Sequence, residues 1–141
     1  MRAACVASRA GRRDWLRTCP PRIRRAACAA HLGLVAVLSL VPAWLFPPTV
    51  AQVPGIDKWA HLGMYGVLGA LFRWAAGTGR RGGTLPAAGI AYGLLMELLQ
   101  MWIGGGTRMF SWGDVAANAA GVGLGWAWTG RVLGRDKSPA G

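Results

Sequence analysis

Four apolar runs separated by short breaks constrain this chain more than any other feature of its sequence. Each run approaches the ~20 residues that an α-helix needs to cross a hydrocarbon core ~30 Å thick. The runs cover residues 26–46, 59–76, 84–103 and 112–133. Four such runs are hard to cover with polar surface in a chain of 141 residues. The sequence therefore predicts one all-α domain, an integral membrane bundle of four transmembrane helices.

The amino-acid composition fits a membrane protein better than a soluble one. Hydrophobic residues make up 53% of the chain and charged residues 15%, whereas about a quarter of the residues are charged in typical soluble domains. The net charge of +11 would suit nucleic acid, but eight of the 16 basic residues precede residue 26. Because no basic stripe with interleaved aromatic residues follows, nucleic acid is not expected as a partner.

The distribution of Lys and Arg predicts the orientation of the bundle. Fourteen of these 16 residues fall in the N-terminal tail, around the break after the second run, or at the C-terminal end. Only Lys58 and Arg108 fall on the opposite side. The positive-inside rule then places both termini in the cytoplasm. The predicted parts are a basic cytoplasmic tail over residues 1–25, a membrane domain over 26–133 and a short cytoplasmic tail over 134–141.

The N-terminal region allows two interpretations. The Arg12-Arg13 pair resembles a weak twin-arginine export signal, and Thr49-Val50-Ala51 loosely fits a cleavage site. The apolar run between them is long for a signal core and begins well after the arginine pair, which favours an uncleaved first helix. The cysteines at positions 5, 19 and 28 lack metal-binding spacing and are expected to be unpaired thiols on the reducing, cytoplasmic side.

Eight polar residues in and around the last three predicted helices fall at the same end of those helices. They are Asp57, Lys58, His61, Glu97, Gln100, Arg108, Asp114 and Asn118. A charged side chain in lipid costs ~2.5–3.5 kcal/mol on insertion scales, so such residues normally face the bundle interior and mark a site. Because Asp57, His61 and Tyr65 are spaced four apart, they share one helix face.

The expected depths of these residues separate a floor from a rim. At ~1.5 Å of rise per residue, Glu97 lies ~9 Å inside the end of its helix. Asn118 lies at a similar depth, and His61 is a few residues inside its own helix. These three are expected to form the floor of a site that opens to the non-cytoplasmic side. Glu97 must be protonated or paired, with His61 or Arg108 as its partner.

Small residues at four-residue spacing predict which helix faces pack closely. In the fourth run they are Gly113, Ala117, Gly121 and Gly125. In the third run, Gly89 and Gly93 lead directly to Glu97. Because small residues let helix backbones approach each other in lipid, the polar residues on or beside these stripes should face inward.

Two explanations of the polar residues are open at this point: attachment of one helix to another, or a functional site. Hydrogen bonds between membrane helices contribute only ~0.6 kcal/mol on average, which is less than the cost of inserting a charge. Attachment alone would also allow polar residues at any depth. Their concentration at one end therefore favours a functional site.

Three motifs in order resemble the signature of the VanZ-like family. The first is Asp57-Lys58-Trp59-Ala60-His61 with Tyr65, and the second is Glu97-Leu98-Leu99-Gln100. The third has the pattern R-x-x-S-x-x-D-x-x-x-N-x-x-G, formed by Arg108, Ser111, Asp114, Asn118 and Gly121. The resemblance covers about residues 32 to 130, and the arginine-rich tail falls outside it.

The resemblance implies a small multi-pass protein of the bacterial cytoplasmic membrane. The namesake of the family is associated with resistance to teicoplanin, a glycopeptide antibiotic that carries a lipid chain. A role at the cell envelope is the general expectation that follows. It agrees with a polar site that faces away from the cytoplasm, toward wall precursors and the lipids of the outer leaflet.

Three functions compete for the site. The favoured one is binding of an envelope lipid, a lipid-linked wall precursor or an amphiphilic glycopeptide. The alternative is a membrane-embedded hydrolase or transferase acting on a lipid-linked substrate, because an imidazole and several carboxylates suit acid–base chemistry or a hard divalent metal. Against catalysis, the chain has no HExxH pair and no nucleophile elbow. A small proton-coupled transporter is the third hypothesis.

The expectations about cofactors and partners follow from the same residues. No cofactor is expected and no metal ligand is assigned. Membrane lipids are the expected partners, and the sequence leaves oligomerisation open.

Overall fold

Four α-helices make up most of the described part of the chain in this computed structural model, which covers residues 16, 18–41, 55–77, 83–103 and 109–134. The helices are α1 (Pro21–Leu40), α2 (Ile56–Ala76), α3 (Thr84–Ile103) and α4 (Trp112–Gly134). No strand occurs within the described ranges. The prediction of an all-α protein is thereby confirmed.

The predicted boundaries agree with the structure for three helices and differ for the first. Helix α3 has the predicted bounds, and α2 and α4 differ from theirs by at most three residues at an end. Helix α1 begins at Pro21, where the fixed φ of proline suits a first turn, so residues 21–25 of the predicted tail are helical. It ends at Leu40 because Val41 is extended, the conformation that a following proline favours.

Two of the four helices, α1 and α3, are long and apolar enough to cross a membrane. Helices α2 and α4 have 21 and 23 residues, which is sufficient length, but they carry most of the polar residues of the predicted site. The structure thus supports a helical protein with two candidate spans. Four spans with both termini in the cytoplasm stay a prediction.

Glycines allow the backbones of α2 and α4 to pack closer together than residues with a Cβ atom would permit. A Cβ atom on Gly125 would overlap the backbone carbonyl of Gly66, and one on Gly69 would overlap the backbone of Val122. A Cβ on Gly121 would likewise meet the Leu62 carbonyl oxygen. The predicted close approach at Gly121 and Gly125 is confirmed, and it brings the polar face of α2 against that of α4.

Hydrogen bonds from side chains to backbone carbonyls attach α1 to the other helices. Tyr92 Oη on α3 donates to the Leu32 carbonyl at 2.7 Å. Gln100 Nε2, also on α3, donates to the Ser39 carbonyl at 2.8 Å. His31 Nε2 on α1 lies 2.9 Å from the Met64 carbonyl of α2. These bonds fix the rotation of α1 and α3 around the α2–α4 pair.

Arginines collect at the end of the bundle opposite the predicted site. Arg24 donates to the Trp74 carbonyl at 3.2 Å, which links the start of α1 to the end of α2. Arg73 donates to the Gly77 carbonyl at 2.9 Å and lies over the Trp126 ring, 5.2 Å from its centroid. Sixteen residues of helix, about 24 Å, separate Arg73 from Asp57. Within the described ranges, the two ends of the bundle therefore differ in charge.

Candidate functional site

The innermost part of the candidate site is formed by one side chain from each of three helices. His61 of α2 places Nδ1 at 2.9 Å from Oδ1 of Asn118 on α4. The same nitrogen is 3.6 Å from Oε1 of Glu97 on α3. Glu97 and Asn118 are each only 1% exposed, and His61 is buried as well. The predicted floor is therefore a contact between three helices, far apart in the sequence.

Local sequence explains why these three side chains meet. His61 lies two turns before Gly69 on the face of α2 that contacts α4, and Asn118 lies one turn before Gly121 on the matching face of α4. Glu97 lies one turn after Gly93 on α3. A Cβ on Gly93 would be only 3.0 Å from Cβ of Asn118. The missing side chain of Gly93 thus leaves the room that Asn118 occupies.

Asp114 and Lys58 connect this floor to the surface. Asp114 is buried in the first turn of α4, and its Oδ1 lies 3.3 Å from Lys58 Nζ. Lys58 Nζ also lies 3.1 Å from Oδ2 of Asp57, which is exposed. The side chain of Lys58 is 50% exposed. Lys58 therefore bridges a buried carboxylate and an exposed one at the rim.

The electrostatics of the rim keep Lys58 charged. Asp57 and Lys58 precede the apolar run that begins at Trp59. Slight burial acts to raise the pKa of Asp57, but the hydrogen bonds and charge of Lys58 outweigh it and lower this pKa below its usual value. Hydrogen bonds to Asp57 and Asp114 raise the pKa of Lys58 above its usual value. Both shifts favour the charged forms, so Asp57 and Lys58 form an ion pair beside the site.

Ser111 helps to position the start of α4. Its Oγ accepts a hydrogen bond from the backbone N–H of Asp114 at 3.3 Å. This is the usual role of a serine that precedes the first turn of a helix. Ser111 thereby helps to hold Asp114 at the mouth of the site.

Tyr65 and Gln100 were also predicted to belong to the site, and only Tyr65 lies against the floor. Tyr65 is fully buried, with its ring parallel to that of His61 and the centroids 6.4 Å apart. Gln100 is buried too, but it contacts Ser39 on α1 instead of His61 or Asn118. Of the two predicted partners of Glu97, His61 lies beside it, and Arg108 lies outside the described residues.

Sequence periodicity alone could not place Gln100. It lies three residues after Glu97, and a step of three residues turns the side chain by about 60° around the helix axis. That turn directs Gln100 to α1. The acceptor there is the backbone carbonyl of Ser39, which any residue at that position would offer, so no side-chain type in the sequence marked it.

We call His61, Glu97, Asp114 and Asn118 the polar cluster. It combines one imidazole, two carboxylates and one side-chain amide. One donor atom from each of His61, Glu97 and Asp114 lies within 4.8 Å of the others. In the described ranges, these three residues are the group of His, Cys, Asp and Glu side chains that could hold a metal ion.

Comparison with known proteins adds no relative to this picture. No protein-family model, curated protein or solved structure matches the chain.

Proposed function

We propose that this chain is a four-span membrane protein with both termini in the cytoplasm and the polar cluster near the opposite face. Large apolar side chains exposed on all four helices support the proposal, because the hydrocarbon of a membrane would cover surface that water would otherwise contact. They include Val37 on α1, Val67 on α2, Leu95 on α3 and Leu124 on α4. The arginines Arg24 and Arg73 at the other end agree with the positive-inside rule.

Tryptophans around the rim support the same placement. Trp59, Trp102 and Trp112 lie at the ends of α2, α3 and α4 nearest the polar cluster, and all are highly exposed. Trp side chains favour the interface between hydrocarbon and headgroups. The mouth of the site would then lie at headgroup level, where lipids and lipid-linked molecules can reach it from the side.

The function that this arrangement supports best is binding of an amphiphile with an anionic head. The observation that carries the proposal is Lys58, a half-exposed ammonium group directly above a buried polar cluster. Lys58 would meet the anionic group, and the apolar chain would lie along the exposed helix surfaces. An envelope lipid, a lipid-linked wall precursor and an acylated glycopeptide share this chemistry. The resemblance to VanZ-like proteins is part of the same proposal.

Lys58→Ala should weaken the binding of an anionic lipid by about 10-fold or more, the effect expected for loss of one charge-assisted hydrogen bond. The measurement is titration of the purified protein with fluorescent phosphatidylglycerol, and fluorescent phosphatidylcholine serves as the zwitterionic comparison. Lys58→Arg should retain most of the affinity, because it keeps the charge.

Arg131→Ala provides the matched control. Arg131 is an exposed cation in the last turn of α4, at the other end of the bundle, so its loss should leave the affinity unchanged. Equal losses in Lys58→Ala and Arg131→Ala would indicate unspecific attraction by net charge and would refute the proposed site. So would full affinity in Lys58→Ala.

A further inference from the structure

We propose that His61, Glu97 and Asp114 form a binding site for a first-row divalent cation such as Mn²⁺ or Zn²⁺. Each of the three residues comes from a different helix, and all three are buried. Their donor atoms all lie within 4.8 Å of one another. The proposal concerns metal binding alone and stands whether or not an amphiphile binds at Lys58.

The distances are close to those of an occupied site. Ligand atoms ~2.1 Å from a common metal lie about 3–4 Å from one another. The separation of 3.6 Å between His61 Nδ1 and Glu97 Oε1 shows that the imidazole ring and the carboxylate already approach within that range. Side-chain movements of about an ångström would complete the set, with no movement of the helices.

Asn118 supplies a second observation that points to a ligand. It is almost completely buried, and its Oδ1 accepts the hydrogen bond from His61 Nδ1. An ion bound at Nδ1 would replace this hydrogen bond: the imidazole proton would then lie on Nε2, and Asn118 Oδ1 would offer a further oxygen to the same ion.

The charges of the site match a divalent cation. A neutral His61 with ionised Glu97 and Asp114 carries two negative charges, which a divalent cation would balance. Lys58 would compete with the metal ion for the carboxylate of Asp114, because its ammonium group lies 3.3 Å from Asp114 Oδ1. The second contact of Lys58, to the exposed Asp57, lets it leave Asp114 without losing its ion pair.

The donor set selects the class of metal. Imidazole nitrogen together with carboxylate oxygen suits Zn²⁺ and Mn²⁺. Mg²⁺ prefers oxygen ligands and retains several waters, so it should bind much more weakly here. Mn²⁺ is the better probe for this chain, because the cysteines near its N-terminus would also attract Zn²⁺.

The test is direct metal binding by the full, untagged chain in detergent after removal of metals with a chelator. Titration with MnCl₂, followed by the electron paramagnetic resonance signal of free Mn²⁺, should give about one bound ion per chain. Glu97→Gln and Asp114→Asn should each lower the affinity at least about 10-fold. Lys58→Met should raise it several-fold, because the competing cation is gone.

Arg131→Ala is the control, since this exposed residue in the last turn of α4 lies at the other end of the bundle and outside the three-residue set. It should leave the Mn²⁺ affinity within about twofold of the wild type. Absence of bound Mn²⁺ in the wild type, or equal binding in the wild type and Asp114→Asn, would overturn the proposal. Asp114 lies near the rim, so Asp114→Asn should still fold and give a Mn²⁺ affinity even if Glu97→Gln does not fold. Absence of Mn²⁺ binding with intact phosphatidylglycerol binding would refute the metal site alone.

Discussion

Gly125→Ala is expected to lower the apparent melting temperature of the bundle by roughly 5–10 °C, the shift that a loss of about 1–3 kcal/mol produces in a domain of this size. The added Cβ would overlap the carbonyl of Gly66. Because that neighbour is backbone rather than a flexible side chain, α2 and α4 would have to separate. The measurement is thermal unfolding of the purified protein in one detergent.

Gly123→Ala tests the same substitution two residues away. A Cβ on Gly123 has open space around it, and alanine favours a helix over glycine by about 1 kcal/mol. This variant should therefore melt at the wild-type temperature or slightly above it. If Gly123→Ala and Gly125→Ala changed the melting temperature equally, close packing between α2 and α4 would not be the cause.

The second large effect is expected at Tyr65. Tyr65→Ala should destabilise the protein by about 3–5 kcal/mol, the usual cost of deleting a large aromatic side chain from a packed core. The side chain is fully buried between His61 and the glycine face of α3. In contrast, Tyr65→Phe should cost nothing, because its Oη makes no hydrogen bond within the described ranges.

Tyr92→Phe gives the comparison that separates packing from hydrogen bonding. Its hydroxyl donates to the Leu32 carbonyl, so removing the hydroxyl should cost about 1 kcal/mol. Chemical or thermal unfolding should thus rank Tyr65→Ala as the least stable variant, Tyr92→Phe as intermediate and Tyr65→Phe as equal to the wild type. A large loss in Tyr65→Phe would mean that its hydroxyl has an essential partner.

Helix boundaries were predictable where local chemistry is unambiguous. The observed bounds of α3 are those of the predicted apolar run. Helix α2 ends at Gly77, which adopts a positive φ that favours glycine. The bounds of α1 differ from those of its apolar run because prolines, rather than apolar residues, set both ends of the helix. Pro21 suits a helix start, and Pro42 restricts the residue before it. Both signals were present in the sequence.

The polar cluster was predictable in part, because helical periodicity relates residues within one helix. The spacing of His61, Glu97 and Asn118 relative to small residues indicated faces that should pack inward, and the structure brings these three together. Distances between different helices cannot be obtained from periodicity. The approach of Asp114 to His61 and Glu97, and the contact of Gln100 with α1, therefore required the structure.

The central claim is that three separated stretches of the chain meet in one polar cluster. Cysteine pairs in an otherwise cysteine-free chain test it most directly, with a short bifunctional thiol reagent applied in membranes and the product read as a mobility shift after protease cleavage between the helices. Pairs at positions 61 and 118, 61 and 97, and 58 and 114 should cross-link, because their native side chains lie within 3.6 Å. A pair at positions 58 and 131, at opposite ends of the bundle, should not. Cross-linking of the 58–131 pair, or none at 61–118 and 61–97, would contradict the account.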